Sequence, residues 1–118
     1  FRSDVIGVNT SSGVGGLAGL ASDATISNSY ATGTVYGGSR LGGLSGYSYT
    51  IAVTSSYAQG SINCLAGASC TDVGGLIGLD SGGTITFSGT NTWVNYTTDN
   101  ATSCLGSANP PDTGTCTP

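Results

Sequence analysis

The residues best equipped for chemistry are four cysteines, Cys64, Cys70, Cys104 and Cys116. A nucleophilic thiol needs a neighbouring base, and the chain contains no His to supply one. Zinc sites built from cysteine favour CxxC spacing, which does not occur here. The remaining chemistry is cystine formation, which points to an oxidising compartment outside the reducing cytosol. Four cysteines allow three pairings.

The carboxylates are the next candidates. Asp23 and Asp80 could be imagined as an acid/base pair. They sit at different positions of the repeat described below, and corner aspartates commonly accept hydrogen bonds from their own turns. Asp72, Asp80 and Asp99 are read as turn residues in the same way. The calcium-binding nonapeptide of Asp-rich repeat proteins is absent. The expectation is a chain with no catalytic residue, no cofactor and no metal.

Composition narrows the partners. Charged residues make up 7% of the chain, against roughly 25% in an average domain. The net charge is −4, with Arg2 and Arg40 as the cations, so the basic surface that nucleic acid requires is missing. No apolar run approaches the roughly 20 residues that span a bilayer, and no signal peptide is visible.

What must position these residues is a repeat. GGLxG occurs as Gly15-Gly16-Leu17-Ala18-Gly19, Gly42-Gly43-Leu44-Ser45-Gly46 and Gly74-Gly75-Leu76-Ile77-Gly78. Val14, Leu41 and Val73 precede these blocks, and Leu20, Tyr47 and Leu79 follow them. At constant offset further on lie Ile26, Val53 and Ile85, then Ser29, Ser56 and Ser88, then Val35, Ile62 and Val94. Short Val/Ile/Thr/Tyr runs between Gly and Ser read as strands, and no 3.6-residue apolar stripe supports a helix. Strands this short bury a face only by stacking on their copies, about 4.8 Å apart. The expected fold is all-β: a parallel β-helix or β-solenoid of about three coils, with no helix longer than two turns. The solenoid is expected over residues 1–100, with repeat starts near 14, 41 and 73. The Gly-Gly pairs are expected to serve positive-φ corners and close backbone approach.

The second repeat is longer than the first, and the excess lies between Ile62 and Val73, at one corner that contains Cys64 and Cys70. A Cys64–Cys70 bridge would staple that excursion. Cys104–Cys116 would then close a tail, residues 101–118, that carries no repeat columns. Val8 sits at the offset of Val35, so the chain is expected to begin partway through a coil.

The pattern VGGLAGL…ATISNSYATGTVYG resembles the GLUG motif, a repeat of large bacterial surface proteins, including adhesin-like proteins and some secreted IgA-cleaving peptidases. The resemblance runs from about Val14 to Asn95. It implies β-helical architecture and export to the cell surface, and it carries no catalytic residues. The third copy departs from it, with Gly89 in place of Tyr and with Trp93 added.

The functional expectation is therefore a non-enzymatic extracellular structural or adhesive module, whose partner is a protein or glycan at the cell surface. Two alternatives stand beside it. One is a filament subunit that stacks end to end on copies of itself; the other is an ice- or glycan-binding solenoid. Tyr30 and Tyr57 share a column, read mainly as core or semi-buried ladder members and otherwise as a sugar-binding strip. Thr25, Thr32, Thr34, Thr84 and Thr86 evoke an ice-binding face, but their columns alternate: Thr25, Ala52 and Thr84 in one, Thr34, Ser61 and Trp93 in another. Asn9, Asn95 and Asn100 lie in chance N-x-[ST] sequons. Arg40 and Asp72, each just before a repeat start, are expected to form an exposed ion pair between coils.

Overall fold

A computed structural model describes residues 5–7, 13–66, 71–93 and 104–107. Among them the chain is all-β, without helix. Strands are numbered along the chain. β1 (Val5–Ile6) comes first. The first repeat holds β2 (Val14–Gly15), β3 (Ala18–Ser27), β4 (Tyr30–Ala31) and β5 (Val35–Gly37). The second holds β6 (Leu41–Gly42), β7 (Ser45–Thr54), β8 (Tyr57–Ala58) and β9 (Ile62–Cys64). The third holds β10 (Val73–Gly74), β11 (Ile77–Asp80), β12 (Ile85–Ser88) and β13 (Thr92–Trp93), and β14 (Leu105–Ser107) follows.

Every pairing is parallel and joins a strand to its counterpart one repeat away. Four sheets result. β2, β6 and β10 form one, and β4, β8 and β13 another. β1, β5 and β9 form a third. The broadest holds β3, β7, then β11 and β12 side by side along β7, with β14 beyond β11. Short strands alone would leave their backbone groups unpaired; stacking satisfies each from the repeat above or below.

Much of the expected register holds. Leu41 pairs with both Val14 and Val73, Tyr47 with Leu20 and Leu79, Val53 with Ile26, and Ile62 with Val35. The excursion of the second repeat is also where expected, since Cys64 still pairs with Gly37 while Val73 already pairs with Leu41.

The third repeat departs from expectation in its second half. Ile85 pairs with Ile51, and Phe87 takes the place beside Val53. Asp80 pairs with Ser48, so Ser81 to Thr84 span what two residues span in the repeat above. A second slip brings Trp93 to Ala58, not to Ser61. Thr92 pairs with Tyr57, which puts Asn91 where Ser88 was expected. At the start of the chain, Val5 and not Val8 pairs with Val35; Val8 and Val94 lie outside the described residues.

The tail also differs. β14 pairs with β11, Leu105 beside Ile77, and Cys104 accepts the Leu76 N–H at 3.0 Å. Residues 104–107 therefore continue the repeat pattern, with Cys104 in the leucine column. Cys64 and Cys104 carry no free thiol and are disulfide-bonded. Cys70 and Cys116 lie outside the described residues, so a disulfide-closed tail is not part of the described fold.

The core is a set of inward ladders. Leu44, Leu76, Ile77, Val53 and Ile85 are fully buried, with Ile62, Ile51 and Trp93 close behind. Leu17 departs from its column: it is 38% exposed, where Leu44 and Leu76 are at 0%. The Gly-Gly pairs serve close approach. A Cβ on Gly43 would meet the Gly75 carbonyl and Ala58, and one on Gly75 would run into the Trp93 ring.

The positive-φ corners lie elsewhere and recur by column. Gly13 (129°), Arg40 (54°) and Asp72 (58°) precede the three repeat starts. Asp23 (49°) and Thr50 (49°) bend the long strands β3 and β7, and Asn28 (47°), Ser55 (47°) and Gly89 (67°) end the broad sheet. Gly13, Gly89, Asn28, Asp23 and Asp72 are of the types that tolerate this backbone, whereas left-handed backbone costs an ordinary residue roughly 1–2 kcal/mol, so at Arg40, Thr50 and Ser55 the stack imposes the corner.

Candidate binding surface

The broad sheet presents two outward columns. Thr25, Ala52 and Thr86 stack in one, and Ser27, Thr54 and Ser88 in the other. Residues two apart share a face, so both columns point away from the inward Ile26, Val53 and Phe87. Thr25, Ser27, Thr86 and Ser88 are exposed, and the Thr54 and Ser88 hydroxyls lie 2.8 Å apart in a hydrogen bond. Strand geometry sets this grid at about 4.8 Å between repeats and about 6.7 Å along a strand. The expected column of Thr25, Ala52 and Thr84 is corrected, with Thr86 in place of Thr84.

Beyond the corner of Asn28, Ser55 and Gly89 stands the Tyr30–Tyr57 pair. The rings are stacked, 5.2 Å between centroids and 9° between planes. Tyr30 is 46% exposed and Tyr57 37%, so the column is a ladder as expected but lies outside the core. Each ring spends one face on the other.

The corner itself is held from inside. The Ser56 N–H donates to Asn91 Oδ1 at 3.0 Å, and the Ser29 N–H donates to Ser56 Oγ at 3.2 Å. Ser56 Oγ donates in turn to the Thr54 carbonyl at 2.9 Å, and Asn91 Nδ2 to the Ser88 carbonyl at 2.9 Å. Ser56 and Asn91 are buried, so this ladder satisfies backbone groups that no strand reaches. Sequence columns identify Ser29 and Ser56; Asn91 escapes them because the third repeat carries two extra residues before Ile85 and one more before Asn91.

On the opposite side of the repeat start, the Arg40 guanidinium lies over the Tyr47 ring, 5.3 Å from its centroid. Arg40 and Asp72 are stacked as expected, since Leu41 pairs with Val73. Among the described residues, however, the expected ion pair is replaced by this cation–π contact. Surface cation–π contacts and ion pairs contribute comparable amounts, so the exchange costs little.

Asp80 is buried, and its Oδ1 accepts the Gly82 N–H at 3.2 Å, the turn role expected of it. Asp23 occupies the exposed bend of β3, two residues beyond Ala21, whose column Asp80 shares through Ser48, so Asp23 faces solvent at its bend while Asp80 is buried two layers below. The two do not form an acid/base pair. Asn9, Asn95, Asp99 and Asn100 lie outside the described residues.

The fold and surface together define a parallel all-β repeat module with a neutral hydroxyl and aromatic face. The chain carries a GLUG motif, whose family model matches residues 10–36. No curated protein and no solved structure matches the chain.

Proposed function

We propose that the stacked repeats are a segment of β-solenoid, about three coils long, acting as a non-catalytic structural and adhesive module outside the cell. The observation that carries this reading is the register. Three GGLxG blocks lie one on another and turn a single neutral face of Thr, Ser and Tyr outward. A flat repeating face suits an extended ligand better than a small molecule, which needs a concave site. The resemblance to GLUG repeats of bacterial surface proteins supports export, as do the bonded cysteines Cys64 and Cys104.

The partner in this reading is a surface protein or glycan. Binding of the chain to arrays of glycans and to immobilised cell-surface proteins tests it. The Tyr30→Ala/Tyr57→Ala double variant should lose at least about tenfold in affinity. Undiminished binding by that variant, or no binding to either array, would sink the adhesive reading.

A second reading, ice binding, rests on the two outward columns. Thr25, Ala52 and Thr86 with Ser27, Thr54 and Ser88 set five hydroxyl side chains in register on one face. Thermal hysteresis, abolished by Thr86→Lys, would favour it over adhesion; a freezing point equal to that of buffer would remove it.

A further inference from the structure

The outer wall of the stack offers an oxidant one kind of side chain. The chain holds no Met and no His. Among the described residues, Cys64 and Cys104 are disulfide-bonded, and Trp93 is enclosed in the core. What solvent reaches is phenol: Tyr30, Tyr49 and Tyr57 are exposed, and Tyr36 and Tyr47 are half-buried.

Two of these phenols are held against each other. Tyr30 and Tyr57 are register partners in the parallel strands β4 and β8, so their backbones are fixed one layer apart. The near-parallel rings, 5.2 Å between centroids, place equivalent atoms of the two side by side. Tyr57 has Tyr30 on one side and Thr92 on the other, and it still meets solvent. Its exposure is therefore outward from the wall and not along the stack. Among the described residues no other tyrosine pairs with a tyrosine. Tyr36 lies between Ile6 and Asn63, Tyr47 between Leu20 and Leu79, and Tyr49 beside Ser22.

We propose that Tyr30 and Tyr57 are a covalent modification site, joined as dityrosine within one chain when a peroxidase and hydrogen peroxide supply one-electron oxidation. Each phenol gives up one electron and its hydroxyl proton. The two phenoxyl radicals, with spin on the carbons ortho to oxygen, form one carbon–carbon bond between a Cε of each ring. Each bonded carbon then passes its hydrogen to its own oxygen, which restores both aromatic rings and both hydroxyls. One hydrogen peroxide takes up the two electrons and two protons and leaves as two waters.

The rings must turn from stacked to edge-on for the bond to form, and exposed side chains make such rotations in picoseconds to nanoseconds. A partner held in place also outcompetes a second chain, which must first be met by diffusion. The product ties the first repeat to the second, where hydrogen bonds and packing alone join them otherwise. The coupling needs no ligand on the outward face, so it stands apart from what that face binds.

The test exposes the purified chain to hydrogen peroxide and a haem peroxidase over a range of protein concentrations. Denaturing electrophoresis, dityrosine fluorescence and peptide mass mapping read the product. The expected result is fluorescence in the single-chain band, in a yield independent of concentration. Mapping should recover the Tyr30 and Tyr57 peptides joined, with the loss of two hydrogens. Tyr30→Phe and Tyr57→Phe keep both rings and remove the hydroxyl that yields the radical; circular dichroism checks their fold. Each should reduce single-chain fluorescence to background, while Tyr49→Phe should leave it at the parent level. No single-chain fluorescence in the parent would overturn the proposal. So would dityrosine found only between chains, or a folded Tyr57→Phe variant that fluoresces like the parent.

Discussion

The buried side chain of Asn91 holds Ser56, one repeat away, by accepting its backbone N–H at 3.0 Å. The same amide donates to the Ser88 carbonyl at 2.9 Å. Asn91→Ala strands the Ser56 N–H in the interior, where an unpaired polar group costs about 1–3 kcal/mol, whereas the Ser88 carbonyl keeps the Ser55 N–H at 3.2 Å. Urea titration should show a loss of about 1–3 kcal/mol, and Asn91→Ser, which restores one acceptor, should lose less. Equal stability of Asn91→Ala and the parent would contradict this account of the corner.

The leucine column separates two environments of one residue type. Leu44→Ala should cost about 2–5 kcal/mol as a full core truncation. Leu17→Ala, at 38% exposure, should cost about half as much in dilute solution. Comparable losses for the two would mean that Leu17 is covered in the monomer.

Gly75 and Trp93 are coupled by contact. Gly75→Ala drives a methyl into the indole and should destabilise by about 1–3 kcal/mol. In the Trp93→Ala background the same change should cost almost nothing. A double-mutant cycle reads this as a coupling energy well outside additivity.

Thr50 holds φ 49° although it is β-branched. Thr50→Gly removes a left-handed penalty of roughly 1–2 kcal/mol and adds back less than about 1 kcal/mol of chain entropy. The melting temperature should rise. A fall would show that the Thr50 side chain has a role of its own at this bend.

Peptide mapping without reduction decides the cystines. Cys64–Cys70 and Cys104–Cys116 are expected, both local. A crossed pair would overturn the reading of the second-repeat excursion as a stapled corner.

The first two repeats were legible because apolar columns repeat at constant offset, and Leu41, Tyr47 and Val53 each pair as their spacing implies. The third was misread at Ile85 for a physical reason. A two-residue slip along a strand keeps the same face inward, so Ile85 and Phe87 satisfy alternation equally well. Only backbone pairing separates them. Asn91 escaped notice because it performs a serine's hydrogen bonding with a different side chain. Cys104 escaped because thiol replaces leucine and no Gly-Gly pair precedes it. On the candidate surface, the Thr25 and Tyr30 columns were visible, but whether they faced water was not. Alternation gives two faces without saying which one the stack encloses.

The hydrogen bonds from Leu17 to Leu44, Leu44 to Leu76 and Leu76 to Cys104 all run along the stack axis. Tension applied along the stack axis is therefore parallel to them and meets them in series, one layer at a time. Each layer contacts only its neighbours, so rupture of one does not release the rest. A tether built this way yields stepwise under pull, lengthening as single layers peel away, and recovers by re-seating a detached layer on the one still standing.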